Sequence, residues 1–305
     1  MSTASTLVLE AYKIREIERR IIQIYPTDII QSPLHLSIGQ ESLAVGVCAH
    51  LDAHSQLFTT YRSHAYYLAK GGNLKKFFAE LMGRIDGCCE GKGGSMHLAD
   101  SKVNFMGTSA IVASTIPHAV GAAFANKVQK NDRLVVCVFG DGAVDTGVYH
   151  ESLNFASLHG LRIVFVVEDN GLAVHTRKEE RQAFDLLNHA KSYGLQTYSL
   201  EETHHPLAVA ELMKNVYKKV MKDEQPGWVL LKTFRYLEHV GTNEDFDIGY
   251  RDKREYNSWY QLDPVASFIP SDFEREMIET EIAEAVRFGS ESNFPARADL
   301  YKDVF

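Results

Sequence analysis

Two short runs constrain this chain more than any other feature. Leu134-Val135-Val136-Cys137-Val138-Phe139 and Ile163-Val164-Phe165-Val166-Val167 contain no polar residue except one thiol. A strand that is apolar on both faces must be covered on both faces, which is the situation of a parallel strand inside an open sheet. Between the runs, Asp145 to His159 reads as one helix, so the segment predicts a strand–helix–strand unit with a right-handed crossover. The expected fold class is α/β, with a mostly parallel central sheet and helices on both faces.

The rest of the chain suits that plan. Residues 6–25 place Leu7, Leu9, Tyr12, Ile14, Ile17, Ile21, Ile22 and Ile24 at helical spacing, with Arg15, Glu16, Glu18, Arg19 and Arg20 opposite and Pro26 as the stop. Helices are also predicted for Gly39–His50, Asn73–Arg84 with Asn73 as cap, Thr115–Lys127, Leu207–Met221 and Phe273–Phe288. Residues 195–199 read as an edge strand and 228–232 as a further strand. Residues 85–110 hold Gly87, Gly91, Gly93, Gly94 and Gly107, too many for an element interior. Residues 237–260 read as a long polar loop. No repeat or linker divides the chain, so residues 1–305 are expected to form one domain.

Composition removes several functions. A net charge of −8 with dispersed Lys and Arg argues against nucleic acid as a partner. No apolar run is long enough for a membrane-spanning helix. The N-terminus lacks the basic start and apolar stretch of a secretory signal. Cys48, Cys88, Cys89 and Cys137 show neither CxxC nor zinc spacing, so a cytoplasmic location is expected. Cys88-Cys89 reads either as a redox pair or as two half-buried thiols beside a glycine loop.

The chemistry gathers where the two apolar runs end. Gly140-Asp141-Gly142 follows the first run and Glu168-Asp169-Asn170 the second. Ligands of open parallel sheets bind beyond the carboxyl ends of the strands. A helix of about fifteen residues rises about 22 Å, enough to return the chain beside its start. Asp141 and Asn170, 29 positions apart, are thereby brought within reach of one ion. A carboxylate, an amide oxygen and a backbone carbonyl suit a magnesium ion that also shares diphosphate oxygens. Two other phosphate motifs fail. Asp145 stands where a dinucleotide fingerprint needs its third glycine, and Gly91-Lys92-Gly93-Gly94-Ser95 misses the P-loop pattern.

The stretch from Gly140 to Asn170 resembles the thiamine diphosphate motif. Further segments follow in one family's order: Leu36-Ser37-Ile38-Gly39-Gln40-Glu41, Tyr61-Arg62-Ser63-His64, Gly91 to His97, Ile116 to Ala123, and Phe234-Arg235-Tyr236 ahead of His239. Together they resemble the alpha subunit of the decarboxylating component of 2-oxo acid dehydrogenase complexes, of the pyruvate, branched-chain and acetoin types. The resemblance implies a thiamine diphosphate-binding fold with thiamine diphosphate and Mg2+ as cofactors. It implies Asp141, Asn170 and the carbonyl of Leu172 as metal ligands. Tyr61 and Arg62 would hold the diphosphate, the backbone of Ala110, Ile111 and Val112 the aminopyrimidine ring, and Gly140, Gly142 and Ala143 the turn at the cofactor. His239 matches the active-site histidine on a flexible loop. His64 either steadies its loop or touches the cofactor edge. His175 either hydrogen-bonds near the diphosphate or is an ordinary loop residue. His97 reads as structural, and Glu41 as support for a helix start.

The implied reaction is decarboxylation of a 2-oxo acid with acyl transfer, in this family to the lipoyl group of an acyltransferase. The catalytic glutamate belongs in the family to a separate beta subunit. A site completed at an interface, in a heterotetramer of two alpha and two beta subunits, is therefore expected. Some positions depart from the pattern. Asp169 replaces an asparagine and adds negative charge near a diphosphate, a puzzle unless it points into a hydrogen-bond network. Leu237-Glu238-His239 replaces the His-Gly-His of pyruvate-type members, which leaves the substrate open. That change motivates an alternative: half of a split carboligase or transketolase-like enzyme that passes an acyl or ketol unit to a small carbonyl compound. A non-catalytic regulatory subunit is a third reading, against which Asp141, Asn170, Arg62 and His239 stand. Val240 occupies the place of the phosphorylated serine of regulated animal members, so that control is not expected.

Overall fold

A computed structural model describes residues 3–302. Thr3 caps the helix Ala4–Ile24, its side chain accepting from the Thr6 amide at 3.2 Å. Leu7, Ala11, Ile14, Ile17 and Ile21 form the buried stripe that the periodicity predicts, and a short turn holding Pro26 ends the helix.

The strands in chain order are β1 (Gln56–Phe58), β2 (Phe105–Gly107), β3 (Val135–Gly140), β4 (Ile163–Asp169), β5 (Leu172–Ala173), β6 (Thr176–Arg177), β7 (Gln196–Leu200) and β8 (Gly227–Lys232). Six of them form one parallel sheet in the order β2-β1-β3-β4-β8-β7, and β5 with β6 makes a small antiparallel hairpin. β7 lies at an edge, as expected. β3 runs beside β4 from Val135↔Ile163 to Gly140↔Glu168, and β4 beside β8 as far as Asp169↔Lys232.

Alternation along these strands explains the absence of polar side chains. Val136, Val138, Val164, Val166, Val229 and Leu231 join one core, with side chains from the helices Ala4–Ile24, Glu41–Cys48 and Pro206–Asp223. Val135, Cys137, Phe139, Ile163, Phe165, Val167 and Trp228 join the other, with the helices Thr115–Val128 and Gly147–Leu158. Each large apolar side chain so buried contributes about 1.5–3 kcal/mol. Trp228 meets its polar requirement by donating from Nε1 to the Tyr149 hydroxyl at 3.0 Å.

Some elements differ from the reading of the sequence. Residues 237–260 are not one loop, because Lys253–Leu262 is helical and capped by Asp252, which accepts from the Arg254 amide at 2.8 Å. That helix buries no residue fully, but Tyr256, Trp259 and Tyr260 stand at helical spacing, and Tyr256 and Trp259 pack against Phe234 and Tyr236. β1 and β2, three residues each, are too short to show a period. The last long helix, Asp272–Glu291, starts in a capping box of Ser271 and Glu274. It lies against Leu74–Leu81 at Gly289, where a Cβ would stand 3.0 Å from the backbone of Phe78 and Ala79. No described helix is long and apolar enough to cross a membrane.

Candidate active site

Because the sheet is parallel, the carboxyl ends of β1, β3, β4 and β8 reach the same edge. A cavity opens there. Among the residues expected from the sequence, Tyr61, Arg62, Val112, Gly140, Gly142, Ala143, Asn170, Leu172 and His239 line it.

Asp141 lies on the turn Asp141–Asp145 and is 1% exposed. Its Oδ2 pairs with Arg181, and its Oδ1 has no partner among the described residues. Burial, and then the neighbouring Asp169, push its carboxyl up to about 7 against the pull of Arg181 and Lys178. A buried carboxylate oxygen left unmatched is costly until a cation or donor meets it. Asn170 sits at the end of the adjacent strand, where one lone pair of Oδ1 accepts from the Leu172 amide at 2.9 Å. Leu172 opens the β5–β6 hairpin beside them. This donor set of carboxylate, amide oxygen and carbonyl fits a hard divalent ion. Gly142 lies close against the hairpin, where a Cβ would stand 3.0 Å from the Ala173 Cβ. At Gly140 a Cβ would meet open space.

Arg62 is buried and donates from Nη1 to the Leu36 carbonyl at 2.7 Å and from Nη2 to the His239 carbonyl at 3.0 Å. Carbonyl partners leave its positive charge available to an anion. The Tyr61 ring lies 4.4 Å from that of His35 and 5.7 Å from that of His239. Burial and the Arg62 guanidinium press the His239 imidazole down to about 3, so it is neutral. The segment that carries His239 is cross-tied by Arg251. Arg251 donates to the carbonyls of Tyr236 and Leu237 at 3.2 and 3.0 Å and pairs with Asp245.

Four expected residues are not on the cavity wall: Asp141, buried in the turn beside it, and Ala110, His175 and His64. Ala110 is exposed, between Ser109 and Ile111, which do line it. His175 is exposed and rests on the Tyr250 ring at 4.6 Å. His64 is fully buried, with Nε2 2.8 Å from Ser95 Oγ and Nδ1 3.2 Å from Glu18. Glu18 also accepts from the Ser37 amide at 2.8 Å. His64 therefore steadies the Tyr61-Arg62 turn from behind. Asp169 accepts from the Gly171 amide at 3.0 Å and pairs with Lys178, which places its charge in the network that the sequence left open. Glu238 accepts from the Asn243 amide at 2.9 Å, closing its own turn away from the cavity lining.

Sequence reasoning missed Gln40, Thr60, Ser109, Ala113, Thr115, Glu168, Ala173 and Val174 on the wall. Glu168 matters most. It accepts from the Tyr66 hydroxyl at 2.9 Å, and burial pushes it up to about 7. Its signal was present, because an acid at the end of a doubly covered strand has no solvent to reach. At the lip, Ile111 is 72% exposed and Val112 49%, apolar surface that this chain leaves uncovered.

Residues 10–289 match the family described as dehydrogenase E1 component. The chain belongs to the dehydrogenase E1 component family. The alpha subunit of acetoin:2,6-dichlorophenolindophenol oxidoreductase from Bacillus subtilis (strain 168) is 30% identical over 304 residues, covering 96% of this chain and 90% of that one. The pyruvate dehydrogenase E1 component alpha subunit of Rickettsia bellii is 31% identical over 306 residues, covering 96% and 92%. The transketolase of Campylobacter jejuni matches with a TM-score of 0.61 at 14% identity, over 99% of this chain and 50% of its own length. The transketolase of Leishmania mexicana matches at 0.56 and 15%, over 95% and 46%. This chain thus spans about half of those structures, and the likeness is one of fold. The motifs and the relatives agree on an E1 alpha subunit of the thiamine diphosphate-dependent 2-oxo acid dehydrogenases. The split-carboligase alternative is not favoured, and Glu238, which motivated it, is occupied in its turn.

Proposed function

We propose that this E1 alpha chain, completed by a beta-type subunit, decarboxylates a 2-oxo acid and passes the acyl group to the lipoyl group of an acyltransferase. Thiamine diphosphate, when bound, supplies the electron sink for the loss of carbon dioxide. The observation that carries the reading is Asp141, buried with Oδ1 unmatched beside a cavity walled by Arg62 and His239. In this reading Asp141, Asn170 and the Leu172 carbonyl hold Mg2+, and Tyr61 and Arg62 hold the diphosphate. His239 presents a neutral imidazole to the substrate side, so it orients by hydrogen bonding and does not add charge. The uncovered Ile111 and Val112 support closure by the beta-type subunit, which would bring the catalytic glutamate in a heterotetramer. A cytoplasmic setting goes with this reading.

The test is reconstitution of the chain with a beta-type subunit. Thiamine diphosphate should be retained through gel filtration with Mg2+ and lost with EDTA, and a lipoyl domain should be acylated by a 2-oxo acid. Retention without any divalent ion would overturn the metal assignment. Carbon–carbon bond formation with an aldehyde and no acylation would overturn the acceptor.

A further inference from the structure

Cys88 and Cys89 lie outside the cavity, on the glycine-rich segment that the function above does not use. Both thiols and a carboxylate oxygen of Glu80 lie within 4.8 Å of one another. The Glu80 carboxylate is already committed. It accepts from the amides of Cys89 at 2.7 Å, Gly91 at 3.0 Å, Gly93 at 2.7 Å and Gly94 at 3.1 Å. Four backbone donors saturate it, so a metal ion would have to break this nest to use it. What remains is a pair of adjacent thiols on a loop clamped around a buried acid.

The two sulfurs are not equivalent. Cys89 Sγ accepts from the Ala99 amide at 3.2 Å and, as a thiol, donates to the His97 carbonyl at 3.3 Å. Cys88 Sγ lies within 4.8 Å of Cys89 Sγ. Hydrogen bonding from Cys88, and then from the Ala99 amide, lowers the Cys89 thiol, whereas the bond to Cys89 and burial raise Cys88. Both residues are half-buried and reachable by small molecules, while Cys48 and Cys137 are buried.

We propose that Cys88 and Cys89 form a hydroperoxide-sensitive dithiol that closes to a disulfide between neighbouring residues. The Cys89 thiolate attacks one peroxide oxygen, the O–O bond breaks, and the departing hydroxide takes a proton to leave as water (or as an alcohol from an alkyl hydroperoxide). Cys89 is then a sulfenic acid. Cys88 Sγ attacks Cys89 Sγ, the S–OH bond breaks, and the hydroxyl leaves with the Cys88 proton as a second water. Two thiols lose two electrons in all, and the peroxide gains them. Consecutive Cα atoms are about 3.8 Å apart, below the roughly 4.4 Å at which ordinary disulfides begin. The bond is therefore strained and readily reduced, so the modification is reversible.

The test treats the reduced full-length chain with stoichiometric hydrogen peroxide, then denatures, alkylates and digests it with trypsin. Cleavage after Arg84 and Lys92 releases Ile85–Lys92, which contains both thiols and no other cysteine. The expected result is a peptide short of two hydrogens that takes up no alkylating label, with both labels restored by dithiothreitol. The Cys48 and Cys137 peptides should stay labelled. Closure should be faster in the folded chain than in chain unfolded in urea, because hydrogen bonding lowers the Cys89 thiol there. In Cys88→Ser, a sulfenic acid should be trapped on Cys89 by dimedone. Two retained labels, equal rates in folded and unfolded chain, or sulfinic acid on Cys89 with Cys88 still free would each overturn the proposal. If Cys88→Ser does not fold, the wild-type mass and rate comparison decides alone.

Discussion

Glu41 and Asp141 are equally hidden, each 1% exposed, but they are finished differently. Glu41 takes both arms of Arg15, at 2.7 and 2.5 Å, and the Gly39 amide at 2.9 Å. The same guanidinium reaches Asp263 at 2.6 Å, so one buried cation ties the first helix to the second and to the C-terminal part of the chain. Asp141 has a cation on one oxygen and nothing on the other. A saturated acid fastens elements together. An unsaturated one still has an oxygen to offer, which is the basis of the proposed magnesium site.

The contrast breaks first at the saturated acid. Arg15→Ala strands two buried carboxylates, and urea denaturation should show a loss of about 3–5 kcal/mol. A loss below about 1 kcal/mol would erase the distinction. Asp141→Ala should leave the thermal midpoint of the ligand-free chain nearly unchanged. Magnesium-dependent binding of thiamine diphosphate by the reconstituted enzyme should weaken about 100-fold or more, measured by calorimetric titration. Undiminished binding would make Asp141 a second Glu41.

A smaller effect tests the neutral wall of the cavity. His35 and His239 are both pressed down to about 3, first by burial and then by Arg62. Unfolded histidines titrate near 6.5. Between about 6.5 and 3 the unfolded chain therefore binds protons that the folded chain refuses, and stability falls as pH drops through that window. His35→Gln should flatten the fall in a denaturation series, and an unchanged slope would place the sensitivity elsewhere. The smallest change is expected from Asp169→Asn, which removes a charge already met by Lys178. Magnesium affinity should shift by less than about threefold, because the partly exposed Lys178 already offsets this buried charge. A larger loss would move Asp169 to the side of Asp141.

What the sequence revealed follows from distance along the chain. β3, β4 and β8 were legible because burial on both faces writes itself into consecutive residues. Asp141, Asn170 and Arg62 were legible because short motifs fix them. The partners that decide how each behaves come from farther away. His64 finds Glu18 and Ser95, 46 and 31 positions distant, and Asp141 finds Arg181, 40 positions on. No local pattern records such meetings, so His64 read as a candidate for the cavity and lies behind it. The helix Lys253–Leu262 escaped for another reason: its packed face is only the aromatic trio Tyr256, Trp259 and Tyr260 among polar residues, and it buries none of them fully.

The alternation of β3 has one more effect. Deleting a single residue from that strand would barely alter its hydrophobicity, yet every side chain beyond the gap would change faces. Phe139 would be driven into the wall shaped for Val138, and Asp141 would arrive turned away from Asn170. The strand works as a gauge as well as a beam, setting the angle at which the acid is delivered. Insertions and deletions should accumulate in the loops around it and stop at its ends.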